Sequence, residues 1–207
     1  MSEINIKRRY LVFGSAVIGA GGLLMSSIPF VESLNPSAKA LSGGGPVQID
    51  ISKIQSGQQI TVAWRQKPVW ILRRSAEMLK VLDSTGLKQK LRDPKSEVKT
   101  QQPDYIPAEY RSIKDEFFIA VGLCTHLGCI PTFRADIAPD DLGESWQGGY
   151  YCPCHGSKYD FAGRVFKGVP APTNLLVPPY RYLSDSTLEI GVSPLKKILN
   201  GSDSGLG

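Results

Sequence analysis

The chain has 207 residues, of which 42% are hydrophobic and 21% charged. Those proportions exclude a disordered chain and suit one globular domain with an appendage. Lys and Arg total 24 against 19 Asp and Glu, a formal charge of +5. The basic residues are scattered, and the one tight run, Lys7-Arg8-Arg9, borders an apolar stretch. That placement reads as a topology signal rather than a nucleic-acid patch.

The apolar stretch, residues 10–31, contains no charged residue. Its roughly 22 residues at about 1.5 Å rise span about one hydrocarbon thickness as a helix. Gly19, Gly21 and Gly22 would weaken a soluble helix but are common in membrane helices. A transmembrane helix is therefore expected over 10–31. The basic flank at 1–9 puts the N-terminus in the cytoplasm by the positive-inside rule, and the rest across the membrane. Ala38-Lys39-Ala40 would serve as a signal-peptidase site, but the apolar run exceeds a typical signal core, so an uncleaved anchor is expected. Arg8-Arg9-Tyr10-Leu11-Val12 is similar to a twin-arginine export signal. The alternative there is an ordinary basic flank.

Residues 32–46, ESLNPSAKALSGGGP, read as a flexible connector, about 20 Å in r.m.s. length. Strands are expected at 47–51, 59–64 and 69–72, the last two joined by a turn at 65–68. Residues 75–90 are the best helix candidate in the head, with Ser75 as cap and Met78, Leu79, Leu82 and Leu87 as an apolar stripe. Residues 93–109 hold three prolines and read as loop. Further strands are expected at 116–121, 149–151, 180–183 and 187–192, with a surface excursion at 136–149.

All four cysteines and both histidines lie between Cys124 and His155. Disulfides of a secreted domain would more usually be spread out, so the clustering points to a metal site. The first motif is Cys124-Thr125-His126-Leu127-Gly128-Cys129 and the second is Cys152-Pro153-Cys154-His155-Gly156-Ser157. Both follow a strand-like run and contain Gly, so both read as tight loops at strand ends. A set of two thiolates and two imidazoles fits a tetrahedral zinc ion. It fits equally a diiron cluster with two Cys on one iron and two His on the other.

The motifs C-T-H-L-G-C and C-P-C-H-G-S resemble the signature of the Rieske iron–sulfur proteins. With the apolar span, the Gly-rich connector and the Gly/Pro loop after the second motif, the resemblance extends over nearly the whole chain, toward the Rieske subunits of bacterial ubiquinol–cytochrome c reductases. It implies a mainly β fold: an antiparallel head over 47–200 with an inserted cluster-binding subdomain at about 122–174, and a tail at 201–207. It implies one [2Fe–2S] cluster, with Cys124 and Cys152 on the buried iron and His126 and His155 on the outer one. Cys129 and Cys154 would form a disulfide. Ser157 would donate a hydrogen bond to a bridging sulfide and Tyr159 one to the sulfur of Cys124, while Leu127 would shield the cluster. Such donors raise the potential, toward the upper part of about −150 to +300 mV.

The same resemblance implies a function. Ubiquinol would dock near His155, which accepts its hydrogen bond and proton, and one electron would pass through the head to cytochrome c1. The other electron would go to cytochrome b. Partners would then be the cytochrome b and c1 subunits within a dimeric complex of the bacterial inner membrane, with the head periplasmic. The chain departs from the usual G-P-A-P loop, reading Gly168-Val169-Pro170-Ala171-Pro172, which puts the packing of the inserted Val169 in question. Alternatives are the small Rieske subunit of a periplasmic oxidase such as arsenite oxidase, a Rieske ferredoxin of an oxygenase, and a zinc-binding module. Zinc would leave Cys129 and Cys154 without a role.

Overall fold

The computed structural model describes residues 6–35 and 44–194. The chain divides into two units, Met1–Gly43 and Gly44–Gly207. Most of the expected connector, residues 36–43, and the expected tail at 201–207 lie outside the described residues.

Among the described residues the first unit holds α1 (Ile6–Ser33), a helix with no buried residue. It runs past the apolar stretch at both ends, because Lys7 to Arg9 and Glu32 are compatible with helix even where they are unsuited to a hydrocarbon interior. The helix is long and apolar enough to cross a membrane, with a mean hydropathy of 1.8 over its best window. Its serine hydroxyls turn inward on their own helix: Ser15 donates to Val12 O, Ser26 to Leu23 O and Ser27 to Leu24 O. That satisfies each hydroxyl without water, as an apolar surrounding requires.

The second unit is antiparallel β. Sheet one is β1 (Val47–Asp50), β9 (Thr187–Ile190) and β8 (Tyr180–Ser184), in that order. Sheet two is β2 (Gln59–Trp64), β3 (Lys67–Arg73) and β4 (Phe117–Val121). Sheet three, which carries the motifs, is β5 (Thr132–Arg134), β6 (Gly149–Cys152) and β7 (Ser157–Tyr159). In β3 the run Val69-Trp70-Ile71-Leu72 is buried throughout, as is the whole of β4. These are continuous apolar strands covered on both faces. Tyr150 of β6 stacks on Trp70 of β3, centroids 4.7 Å apart and planes within 4°, and so fastens sheet three to sheet two.

Three sequence expectations change. The turn at 65–68 contracts to Arg65 and Gln66, both with positive φ (49° and 60°), while Trp64 pairs with Lys67 and Ala63 with Pro68. Two left-handed residues give the backbone twist that a two-residue hairpin needs. The Arg65 guanidinium lies 4.7 Å from the Trp64 ring centre, which helps to hold the turn. The single helix at 75–90 is two: α2 (Ala76–Asp83) and α3 (Thr85–Lys90), broken at an extended Ser84 (ψ 124°). Ser75 does cap α2, its hydroxyl accepting from Met78 N. In one straight helix Leu87 would face away from Met78 and Leu82; the break lets all three be buried. The excursion at 136–149 is not wholly superficial. It inserts Leu142 and Trp146 into the core and is clamped by Arg134, which donates to Asp136 and Asp141.

Candidate metal centre

Each motif sits in a loop that the backbone closes on itself. In the first, Cys124 N donates to Cys129 O at 2.7 Å and Gly128 N to Cys124 O at 2.9 Å. The approach from β4 passes through Gly122, where a Cβ would collide with the Trp70 ring, so only glycine lets the chain cross there. In the second, Cys152 and Ser157 form the last pair of the β6–β7 ladder. Gly156 N closes the loop on Cys152 O at 2.9 Å, with Gly156 at φ +74°. A disulfide between Cys129 and Cys154 ties the loops together, Cα atoms 6.7 Å apart.

The tie leaves Cys124 and Cys152 as free thiols, both buried. The His126 and His155 rings lie edge to face with centroids 4.8 Å apart, His126 half-buried and His155 exposed. The arrangement is graded: sulfur inside, imidazole at the surface. Leu127 in the first loop is 71% exposed, and Ile130, three residues on, is 58% exposed. The sulfurs of Cys129, Cys152 and Cys154 also gather within 4.8 Å of one another. That triple is not a ligand set, because the disulfide has consumed two of its thiols.

Hydroxyl groups face the inner sulfur. Tyr159 Oη lies 3.2 Å from Cys124 Sγ and accepts from Thr125 N at 3.1 Å. The Thr125 hydroxyl donates to Thr173 O at 2.7 Å and lies 3.2 Å from Tyr159 Oη. Thr125 has thereby used its one hydroxyl proton, so the Tyr159 proton is left for Cys124 Sγ or Thr125 Oγ1. Burial, reinforced by the Cys124 contact, pushes the Tyr159 phenol well above its ordinary value, so it remains a donor. Ser157, 1% exposed, accepts from Ala171 N at 3.1 Å and keeps its own proton to give.

The two thiols are unequal. Burial opposes charge on Cys124, but hydrogen bonds from Tyr159, the His126 backbone, Cys152 and Ser157 together hold its pKa below the ordinary thiol value. Burial pushes Cys152 up, and Cys124 adds to the rise. Iron binding would deprotonate both.

The inserted Val169 is absorbed without breaking the loop. Gly168 takes φ +72°, and the Arg92 guanidinium donates to Val169 O at 3.0 Å and Pro172 O at 3.3 Å. Thr125, Arg92 and Asn174, which accepts from Val165 N and donates to Asp93 O, all shape the site, and sequence reasoning assigned them no role. Their partners are mostly main-chain carbonyls, which leave no residue-type signal. Only Thr125, inside the first motif, was findable.

The donor set fits a mixed sulfur–nitrogen cluster: two free buried thiols, two adjacent imidazoles, and hydroxyl donors on the sulfur side. A single structural zinc would not call for those donors.

Comparison with known proteins bears on the same residues. The Rieske [2Fe-2S] domain family matches residues 88–181. The ubiquinol-cytochrome c reductase iron-sulfur subunit of Allochromatium vinosum is 54% identical over 187 residues, 90% of this chain and 89% of that protein. The protein of the same name from Blastochloris viridis is 40% identical over 187 residues, 89% of this chain and 92% of its own length. A chain of the solved hyperthermophilic respiratory complex III aligns at a TM-score of 0.45 and 28% identity, covering 86% of this chain and 98% of that one.

Proposed function

The chain belongs to the family of ubiquinol–cytochrome c reductase iron–sulfur subunits, and we propose that it is the membrane-anchored one-electron carrier between ubiquinol and cytochrome c1 in such a complex. The observation that carries the reading is the graded site: two free buried thiols backed by Tyr159 and Ser157, with two imidazoles at the surface. Cys124, Cys152, His126 and His155 would hold a [2Fe–2S] cluster, which supplies a one-electron redox centre of high potential when bound.

The residues of the chain do the rest. The exposed His155 ring would accept a hydrogen bond from the quinol hydroxyl and then hold its proton on a ring nitrogen. Leu127 and Ile130, both largely exposed, present an apolar rim that suits a lipid-soluble quinol and an apolar docking partner. The Tyr159 and Ser157 hydroxyls favour negative charge on sulfur, since charge-assisted hydrogen bonds strengthen as charge grows. The disulfide keeps the two loops in register while the surface side engages a partner.

The chain by itself is a carrier; quinol oxidation belongs to the assembled complex. Within it the partners are the cytochrome b and cytochrome c1 subunits, in a dimeric assembly. Helix α1 anchors the chain in the bacterial inner membrane, with the N-terminus cytoplasmic and the head periplasmic. Residues 32–46 serve as the tether on which the head moves between partners.

Electron paramagnetic resonance of membranes reduced with ascorbate tests the proposal. A rhombic Rieske-type signal is expected, since ascorbate is a weak reductant. A signal requiring dithionite would point to a low-potential ferredoxin instead. No signal under either reductant, with stoichiometric zinc, would overturn the reading.

A further inference from the structure

Three guanidiniums lie inside the head: Arg74, Arg111 and Arg164 are 2%, 0% and 1% exposed. Among the described residues two carboxylates are buried with them, Asp160 at 0% and Glu189 at 7%, and Glu189 is paired with Arg181 in sheet one. Asp160 is committed to Arg164, Oδ2 to Nε at 2.7 Å, and also accepts from Ala162 N and Arg164 N. Arg111 donates to Gln102 Oε1 and to the carbonyls of Gln101, Ala162, Gly163 and Leu175. Arg74 donates to Tyr110 O and Ser112 Oγ, and its Nε has no partner. Neither Arg111 nor Arg74 touches a carboxylate. Burial depresses both to about 10, which leaves them charged at neutral pH.

Two buried guanidiniums that no carboxylate touches, with Asp160 as their main favourable charge, are unusual, because desolvating a charge is costly and an apolar residue would fill the space at less expense. Their position suggests what the charge is for. Asp160 directly follows Tyr159, whose hydroxyl lies on Cys124 Sγ. The Arg74 guanidinium is 5.6 Å from the Phe118 ring centre. Phe118 packs against Tyr150, centroids 6.3 Å apart, and Tyr150 is two residues before Cys152 in β6. Arg74 thus reaches Tyr150 through Phe118, and Arg111 donates to the carbonyls of Ala162 and Gly163, just after Asp160, in an interior where Coulomb interactions carry further than in water.

We infer that Arg74 and Arg111 are electrostatic positioning residues: their buried charge, which no carboxylate touches, favours the negative charge that an added electron brings to the sulfur side of the site, and Asp160 opposes them. The inference rests on the function proposed above. It sets a sign that a purely structural role does not. Removing a positive charge lowers the reduction potential and removing the negative one raises it, whereas loosening the loops would move both variants the same way.

The experiment is a redox titration of the full-length chain in membranes, followed by electron paramagnetic resonance, for Arg74→Met, Arg74→Lys and Asp160→Asn. Asparagine keeps the size of Asp160 and one acceptor oxygen. Up to about a tenfold change in the reduction equilibrium is expected per charge, at most about 59 mV for one electron. Arg74→Met should fall, Asp160→Asn should rise, and Arg74→Lys should stay at the wild-type value. Two falls, or no movement in either neutralising variant, would overturn the inference. If Arg74→Met does not accumulate, Asp160→Asn decides alone: a rise supports the inference and anything else defeats it. Absence of the Rieske signal in the wild type would instead overturn the proposed function.

Discussion

The Tyr159 hydroxyl is the most consequential group whose role depends on one contact. It lies 3.2 Å from Cys124 Sγ while accepting from Thr125 N. Tyr159→Phe deletes both interactions. The donor to sulfur strengthens as the sulfur gains charge, so its loss should lower the potential by about 60 mV, a tenfold change in a one-electron equilibrium. The orphaned Thr125 N–H should also cost about 1–3 kcal/mol of stability. A redox titration and a urea denaturation of the same variant would check the two effects separately. An unchanged potential would show that the Tyr159 proton is directed at Thr125 Oγ1 rather than at sulfur.

Short elements set the geometry of the site. The disulfide joins two loops whose cysteines are 25 residues apart. Loop-closure entropy assigns such a crosslink about 3.5 kcal/mol. The double variant Cys129→Ser with Cys154→Ser should lose roughly that much stability, which thermal unfolding of the head would show. A loss under about 1 kcal/mol would mean that the hydrogen bonds within each loop, such as Cys124 N to Cys129 O, hold the loops together without it. The β2–β3 turn offers the opposite change. Gln66 sits at φ +60°, where a side chain is strained and glycine is not. Gln66→Gly should stabilise the head by about 0.5–1 kcal/mol after the entropic penalty of glycine, read as a higher denaturation midpoint at unchanged slope.

The molecule is organised as two units, Met1–Gly43, which contains the apolar helix α1, and Gly44–Gly207, which contains the β head. A chain lacking residues 1–43 should therefore leave the membrane fraction yet keep its resonance signal, because every residue of the site lies in the second unit. Loss of the signal in that truncated head would mean that the site needs the anchor. The tether carries a separate expectation. Gly43→Pro with Gly44→Pro in the proposed tether should slow quinol:cytochrome c turnover several-fold and leave the spectrum intact, because proline fixes the backbone at its own position and neither residue belongs to the site. Wild-type turnover in that variant would count against a moving head.

The sequence by itself marked the candidate ligand loops and the apolar span, because each is written in contiguous residues: a spacing of Cys and His, a run without charge. Alternating runs suggested several strands, but the β architecture came mainly through family resemblance. The sequence also marked Cys129 and Cys154 as surplus to a four-ligand set, though their pairing came through family resemblance. What it could not determine depended on distant neighbours. The strands β5 and β7 are three residues long, too short for alternation to register, and exist because β6 pairs with both. The break at Ser84 followed from where Leu87 had to be buried, not from helix propensity. Arg92, Thr173 and the buried arginines act on or through main-chain carbonyls, which look alike at every position of a sequence. Only the folded chain brings Arg74 and Asp160 into one interior, and desolvation there gives charges that would be screened in water their effect.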